Sequence, residues 1–333
     1  MAFKTRITEM LGIEHPIVQG GMMHVGRAEL ASAVSNAGAL GILTGLTQPT
    51  PEALRDEIER CRAMTSKPFG VNMTVFPTIN PPDYKGYAQA IIDSGIKIVE
   101  TAGTPAVAEL WEMWKPHGIR ILHKCTSVRH SLSAERKGVD AISIDGFECA
   151  GHPGEDDIPG LILFPAAADK VKIPLIASGG IADGRGLVAA LALGAEGVNM
   201  GTRFCATKEA PIHDNLKQAY VDNDERGTHL IFRKFKNTAR VGKSAVSDEV
   251  VRISAEPDAE FGDIQHLVSG AKGKVVIDEG DMSAGIFWAG MTQGLIHDIP
   301  TAQELIDRMI GDAEAIVRDR LNGFMAAKIS EFA

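Results

Sequence analysis

The segment Ile176-Ala177-Ser178-Gly179-Gly180-Ile181-Ala182-Asp183-Gly184 sets two glycines between an apolar run and an amphipathic one. Glycine lets backbone approach a ligand closely, and N–H groups at a helix start can hold phosphate oxygens with the helix dipole behind them. A second apolar run ends in Gly197-Val198-Asn199-Met200-Gly201-Thr202. The amides of Gly201 and Thr202 and the Thr202 hydroxyl would complete a phosphate cup with Ser178, Gly179 and Gly180. Lys124 closes another apolar run, where a cation is expected to face an anion, and Asn72 ends a third. Gly20-Gly21-Met22, Glu100 and Asp145 fall at comparable positions. The loop after Asp145 carries His152 between Gly151 and Pro153-Gly154. An imidazole titrates near neutrality, so His152 is the candidate general base or hydrogen-bond donor to a substrate oxygen.

Other motifs carry less. Cys149 reads as a small buried thiol, because no partner base accompanies it. Glu155-Asp156-Asp157 could hold a divalent cation, but consecutive carboxylates point in alternate directions, which favours a solvated loop or a helix-start charge cluster. Gly184-Arg185-Gly186-Leu187-Val188-Ala189 fits a dinucleotide fingerprint but begins inside a helix, and the following strand ends without the acidic residue a ribose needs. The ten histidines form no HxH or HExxH pair, so no metal site is expected.

These residues recur at one level of a regular pattern. Apolar runs at Pro16–Met22, Ala39–Gly45, Phe69–Val75, Ile96–Ala102, Arg120–Thr126, Asp140–Gly146, Pro174–Gly180 and Gly197–Arg203 alternate with helix-period stretches near 26–37, 51–65, 84–94, 105–117, 127–137, 159–170 and 184–193. The runs are apolar throughout, as in parallel strands buried on both faces. Eight such units predict an α/β fold, a (β/α)8 TIM barrel whose functional residues lie at the carboxyl ends of the strands. Glycines 38, 95, 118, 138 and 194 stand where helices should stop. After Arg203 the pattern breaks: charged helical stretches lead to a turn-rich Ser269–Lys274 connection into Val275–Ile277. A last helix from about Thr301 to Ala327 starts at a capping box with Glu304. The expected organisation is a barrel of residues 1–207 and 300–333 with a smaller cap domain, 208–299, inserted after strand eight.

Composition agrees with such a fold. The 333 residues include 35 glycines, well above the usual share of about 7%. Net charge is −9 with no basic block, which argues against nucleic acid or an anionic membrane surface as partner. No apolar run is long enough to span a bilayer, the N-terminus lacks a signal-peptide core, and the four cysteines are unpaired in spacing. A reduced, cytoplasmic protein is the expectation.

Over essentially its whole length the chain resembles the nitronate monooxygenase (2-nitropropane dioxygenase) family of FMN-dependent barrels. The resemblance is carried by Pro16–Met22, Ser35–Gly41, Phe69–Asn72, Asp145–His152, Ile176–Gly180, Gly197–Thr202 and Ala289–Ile296. It implies FMN phosphate on Ser178, Gly179, Gly180, Gly201 and Thr202, and the isoalloxazine against Gly21, Met22, Asn72 and Ala150. Lys124 would face the pyrimidine edge, Asp145 would join the cofactor site, and His152 would stand over the reactive face. The continuation His152-Pro153-Gly154-Glu155-Asp156-Asp157 and the proline-rich loop Phe76–Asp83 resemble a bacterial NADH:quinone reductase subgroup instead of the nitronate-oxidising members. Two activities are therefore expected on equal terms: oxidation of alkyl nitronates with O2, and NAD(P)H:quinone reduction with NADH docked under the 76–83 loop. Enoyl-thioester reduction and a non-catalytic flavin-binding module are lesser alternatives. The expected partner is a small molecule, nitronate or quinone, with a homodimer left open.

Overall fold

The computed structural model describes residues 3–76 and 81–329. Residues 77–80 of the proline-rich loop lie outside the described residues. In chain order the first elements are α1 (Arg6–Leu11), β1 (Ile17–Gln19), α2 (Ala28–Asn36), β2 (Gly41–Thr44), α3 (Pro51–Met64), β3 (Phe69–Val75), α4 (Tyr84–Asp93) and β4 (Ile98–Gly103). They continue through α5 (Ala108–Trp114), β5 (Arg120–Cys125), α6 (Val128–Arg136), β6 (Ala141–Asp145), α7 (Gly160–Ala168), β7 (Leu175–Ser178), α8 (Gly184–Ala192) and β8 (Gly197–Met200).

All eight strands are parallel and β1 pairs with β8. The β1–β2 seam is drawn together by a bridge between Val18 and Leu40, by two backbone hydrogen bonds of 2.9 Å, and by Gln19 Oε1 accepting from the Ile42 amide. This is the α/β, (β/α)8 arrangement expected from the strand count. The helix-stopping glycines lie in the left-handed region, where only a residue without Cβ is unstrained.

The floor of the barrel is apolar. Val18, Leu40, Ile42, Ile98, Leu122, Ala141 and Ile176 form one buried cluster, completed by Ile7 and Leu11 of α1. That short plug helix went unread in the sequence; Thr5 and Thr8 cap each other at its start. The larger apolar cluster lies between strands and outer helices.

Beyond β8 come α9 (Thr202–Cys205), α10 (Asp214–Asp222), β9 (Thr228–Ile231), β10 (Ala239–Gly242), α11 (Ala245–Ser254), α12 (Phe261–Val268), α13 (Gly270–Glu279) and α14 (Ala302–Ala315). Helix α14 opens on the Thr301–Glu304 capping box and packs against α8 and α2. It then passes into a π-helical stretch, Ile316–Leu321. Two local expectations fail. The 228–242 stretch is an antiparallel β9–β10 hairpin, not a charged helix. Ser269–Ile277 is mostly helix, because Val276 and Ile277 bury on one side of α13 and outweigh the two glycines at its start. Ile231, Phe232, Ala239, Val241, Val246, Val250, Ile264 and Ile286 form a cluster of their own around the hairpin. No described helix is long and apolar enough to cross a membrane.

Candidate active site

At the carboxyl ends of the strands lies a cavity of about 930 Å3, lined among others by Gly21, Met22, Asn72, Lys124, Asp145, Ala150, His152, Ser178, Gly179, Gly180, Gly201 and Thr202. These expected site residues therefore face one space, while Glu100, expected at the same strand-end level, lies beneath it. Its size is near the top of the range of roughly 300–1,000 Å3 typical of ligand pockets.

Beneath the cavity, side chains from β3, β4, β6 and β8 meet across the barrel. Fully buried Glu100 accepts from Asn72 Nδ2 at 2.8 Å, Asn199 Nδ2 at 2.7 Å and the Gly21 amide at 2.8 Å. Asn199 Nδ2 also lies 3.3 Å from Ser143 Oγ. Strands β4 and β8 are not neighbours in the sheet, so these groups must point into the barrel. Glu100 thereby fixes both Asn72 and the Gly21 turn. A Cβ at Gly21 would stand 2.3 Å from the Asn72 side chain, which requires glycine there. Thr44 Oγ1 accepts from the Met22 amide and donates to the Met22 carbonyl, pinning the next residue.

Lys124 Nζ stands 3.1 Å from Asp145 Oδ1 and 3.4 Å from Ser178 Oγ. Burial alone would lower the pKa of Lys124, but the charges of Asp145 and Glu100 outweigh it and hold the pKa raised. The lysine is thus a fixed cation at the cavity wall.

Gly179 and Gly180 have φ of +84° and +78°, and a Cβ on Gly179 would lie 2.8 Å from Cys149 Cβ. Among the described residues their amides donate to no backbone carbonyl, leaving donors free for an anion. The helix dipole expected behind this cup is not supplied by α8. That helix is capped by Asp183, whose Oδ1 accepts from the Arg185 and Gly186 amides, so its own carboxylate occupies the anion position. Thr202 Oγ1 accepts from the Gly290 amide at 2.9 Å, which leaves its hydroxyl proton to donate. Cys149 is buried, and burial pushes its thiol pKa up, the condition of an inert thiol.

His152 lies at the cavity lip between two rings, Phe76 at 5.4 Å and Trp288 at 5.9 Å between centroids. Burial lowers its pKa, opposed by the charge of Glu155. A neutral imidazole carries one donor and one acceptor nitrogen.

The hairpin holds the His152 loop. Gly151 and Arg240 exchange two backbone hydrogen bonds, and Arg240 Nη2 donates to the Phe147 carbonyl at 3.0 Å. Glu155 accepts from the Thr238 amide and hydroxyl at 2.7 and 2.6 Å, and Asp157 forms a two-pronged pair with Arg233. Two of the three consecutive acids are therefore clamps to the hairpin and not a free charge cluster. Glu148 caps α7 through the Gly160 amide. Sequence reasoning missed Glu100 and Asn199 as organisers, Thr44, and the whole hairpin clamp. Only Glu100 left a signal, an acidic residue within an otherwise apolar strand.

Similarity to known proteins agrees with this geometry. The family model described as nitronate monooxygenase matches residues 4–312. A Mycobacterium tuberculosis protein named (3aS,4S,5R,7aS)-5-hydroxy-7a-methyl-1-oxo-octahydro-1H-indene-4-carboxyl-CoA dehydrogenase is 32% identical over 94% of this chain and 97% of its own. Among solved structures, FabK from Thermotoga maritima superposes with a TM-score of 0.89 at 33% identity, covering 96% of this chain and 99% of that one. A nitroalkane oxidase from Streptomyces ansochromogenes superposes with a TM-score of 0.78 at 26% identity, covering 93% and 99%.

Proposed function

The chain belongs to the nitronate monooxygenase family of oxidoreductases, whose members are generally flavin-dependent, and from that premise we propose that it binds FMN and reduces a bulky, electron-poor carbonyl compound of the quinone type with NAD(P)H. The observation that carries this reading is the extent of the cavity. It continues past the glycine cradle to an apolar wall of Val268, Ile277, Ile286, Phe287 and Trp288, room that suits a bulky apolar acceptor beyond the cofactor. The relative named as a CoA dehydrogenase supports a large carbonyl substrate.

The residues fit the cofactor. Free amides at Gly179 and Gly180 and the Thr202 hydroxyl suit a phosphate monoester, while the Lys124 cation suits a ring that gains negative charge on reduction. Bound FMN would supply two-electron chemistry, taking a hydride from the nicotinamide and passing it to the acceptor. In the balanced reaction, acceptor, NAD(P)H and one proton give the reduced acceptor and NAD(P)+. The chain's part is to hold the ring with Gly21, Met22, Asn72 and Ala150 and to exclude water with Phe76 and Trp288. His152 would direct an N–H toward the developing oxyanion, and a solvent proton would restore it.

A second reading, oxidation of alkyl nitronates with O2, is favoured by the same imidazole, whose N–H could orient the nitronate oxygens and whose free nitrogen could first deprotonate a nitroalkane to its nitronate. Anaerobic mixing of the purified flavoprotein with NADH, NADPH, a quinone, a CoA thioester or propyl-2-nitronate separates the two. Bleaching of the flavin band by a nicotinamide, with return of colour on adding quinone, is the expected result. Bleaching by the nitronate alone would replace the first reading with the second.

A further inference from the structure

The rings beside His152 are unusual for their positions. Phe76 and Trp288 remain 41% and 39% exposed, although large exposed apolar side chains are costly in water. They come from distant parts of the chain, the β3–α4 connection and the segment before α14. Each has its backbone tied by a tyrosine: Tyr84 donates its hydroxyl to the Phe76 carbonyl at 3.2 Å, and Tyr220 donates to the Trp288 carbonyl at 2.9 Å. The imidazole plane is tilted 48° from the Phe76 ring and 40° from the Trp288 ring, with ring centroids 5.4 and 5.9 Å from its own.

We propose that Phe76 and Trp288 are positioning residues that clamp the His152 ring, exclude water from it, and set its orientation at the cavity lip. The inference rests on the reading above in so far as His152 meets substrate there. Covering the ring in this way contributes to the burial that lowers the His152 pKa. The opposing group is Glu155 on the same loop, fixed by Thr238 of the hairpin. The rings of the clamp themselves contribute no charge. Opening one side rehydrates His152 and lets it protonate at higher pH, so the pH step in activity that follows the His152 titration moves upward with it.

The test uses the holoenzyme with Trp288→Ala, Phe76→Ala and the conservative Trp288→Phe. The His152 ring proton is followed by NMR across pH, assigned by its loss in His152→Ala, alongside the pH profile of kcat/KM. Wild type is expected to titrate below 6.5. In Trp288→Ala the midpoint should move toward 6.5, and the pH step in kcat/KM should move upward with it. Trp288→Phe should restore both values. An unchanged midpoint in both alanine variants overturns the clamp. A moved midpoint with an unmoved pH step in kcat/KM upholds the clamp and instead overturns the role given to His152 in turnover.

Discussion

His152, Lys124 and Glu100 divide the work by where each carries charge. His152 is kept uncharged at the lip, Lys124 is kept charged in the wall, and Glu100 organises the turns beneath. General acid–base groups typically contribute about 10²–10⁴-fold, so His152→Ala is expected to lower kcat/KM by that order while FMN content, read from the visible spectrum, stays normal. Replacing Lys124 by Met strands Asp145, of which 7% is exposed, without its counter-ion. Removing one partner of a buried pair costs about 3 kcal/mol or more, measurable by urea unfolding, and the variant should also retain less flavin. Much of this was legible in the sequence. A Lys or Asn at the end of an apolar strand has few structural reasons to be there, and barrel geometry brings all such ends together. The Glu100 network was not legible, because its partner Asn199 is 99 residues away and only the closed barrel sets them side by side.

Elements fix how firmly the lip is held. The β9–β10 hairpin grips the His152 loop through the Gly151–Arg240 exchange, Thr238–Glu155 and Arg233–Asp157. Arg240 is 4% exposed and its guanidinium also lies 4.6 Å over the Phe147 ring. Arg240→Ala should therefore loosen the loop. About tenfold lower kcat is expected from misplacing the reacting group, together with faster proteolytic cleavage within 147–157. Equal cleavage rates in variant and wild type would show that the hairpin does not hold the loop. Periodicity revealed the barrel helices because they bury an apolar stripe against strands. It failed for α1, too short to show a period, and for the hairpin, whose strands are four residues each and carry Arg233, Lys234 and Arg240 in or between them. At α13 the glycines were weighed as turn signals, although the buried Val276 and Ile277 decide the local structure.

Among the described residues His123 is the buried histidine, with consequences for stability of the whole molecule. His123 packs edge-on against Trp111 and meets Thr101 Oγ1 through Nδ1 at 2.9 Å. Burial lowers its pKa to about 4. Its ordinary value is about 6.5, so the unfolded chain binds a proton there before the folded chain does. Stability is fully present above pH 6.5 and declines as pH falls toward 4, by up to about 3 kcal/mol from this residue. Urea midpoints at pH 7 and 5 should show the loss, and His123→Gln should flatten the slope between them. A slope unaltered by the substitution would assign the acid sensitivity elsewhere.

The barrel joins an anion cradle, a fixed cation and a neutral imidazole around one large cavity, and that conjunction supports two-electron transfer to a bulky acceptor. The most direct test is the anaerobic rate of flavin bleaching by NADH and NADPH compared with propyl-2-nitronate, followed by reoxidation with quinone. Rapid bleaching by a nicotinamide and stoichiometric return of colour with quinone is the result predicted. Bleaching by the nitronate with no response to either nicotinamide would contradict it.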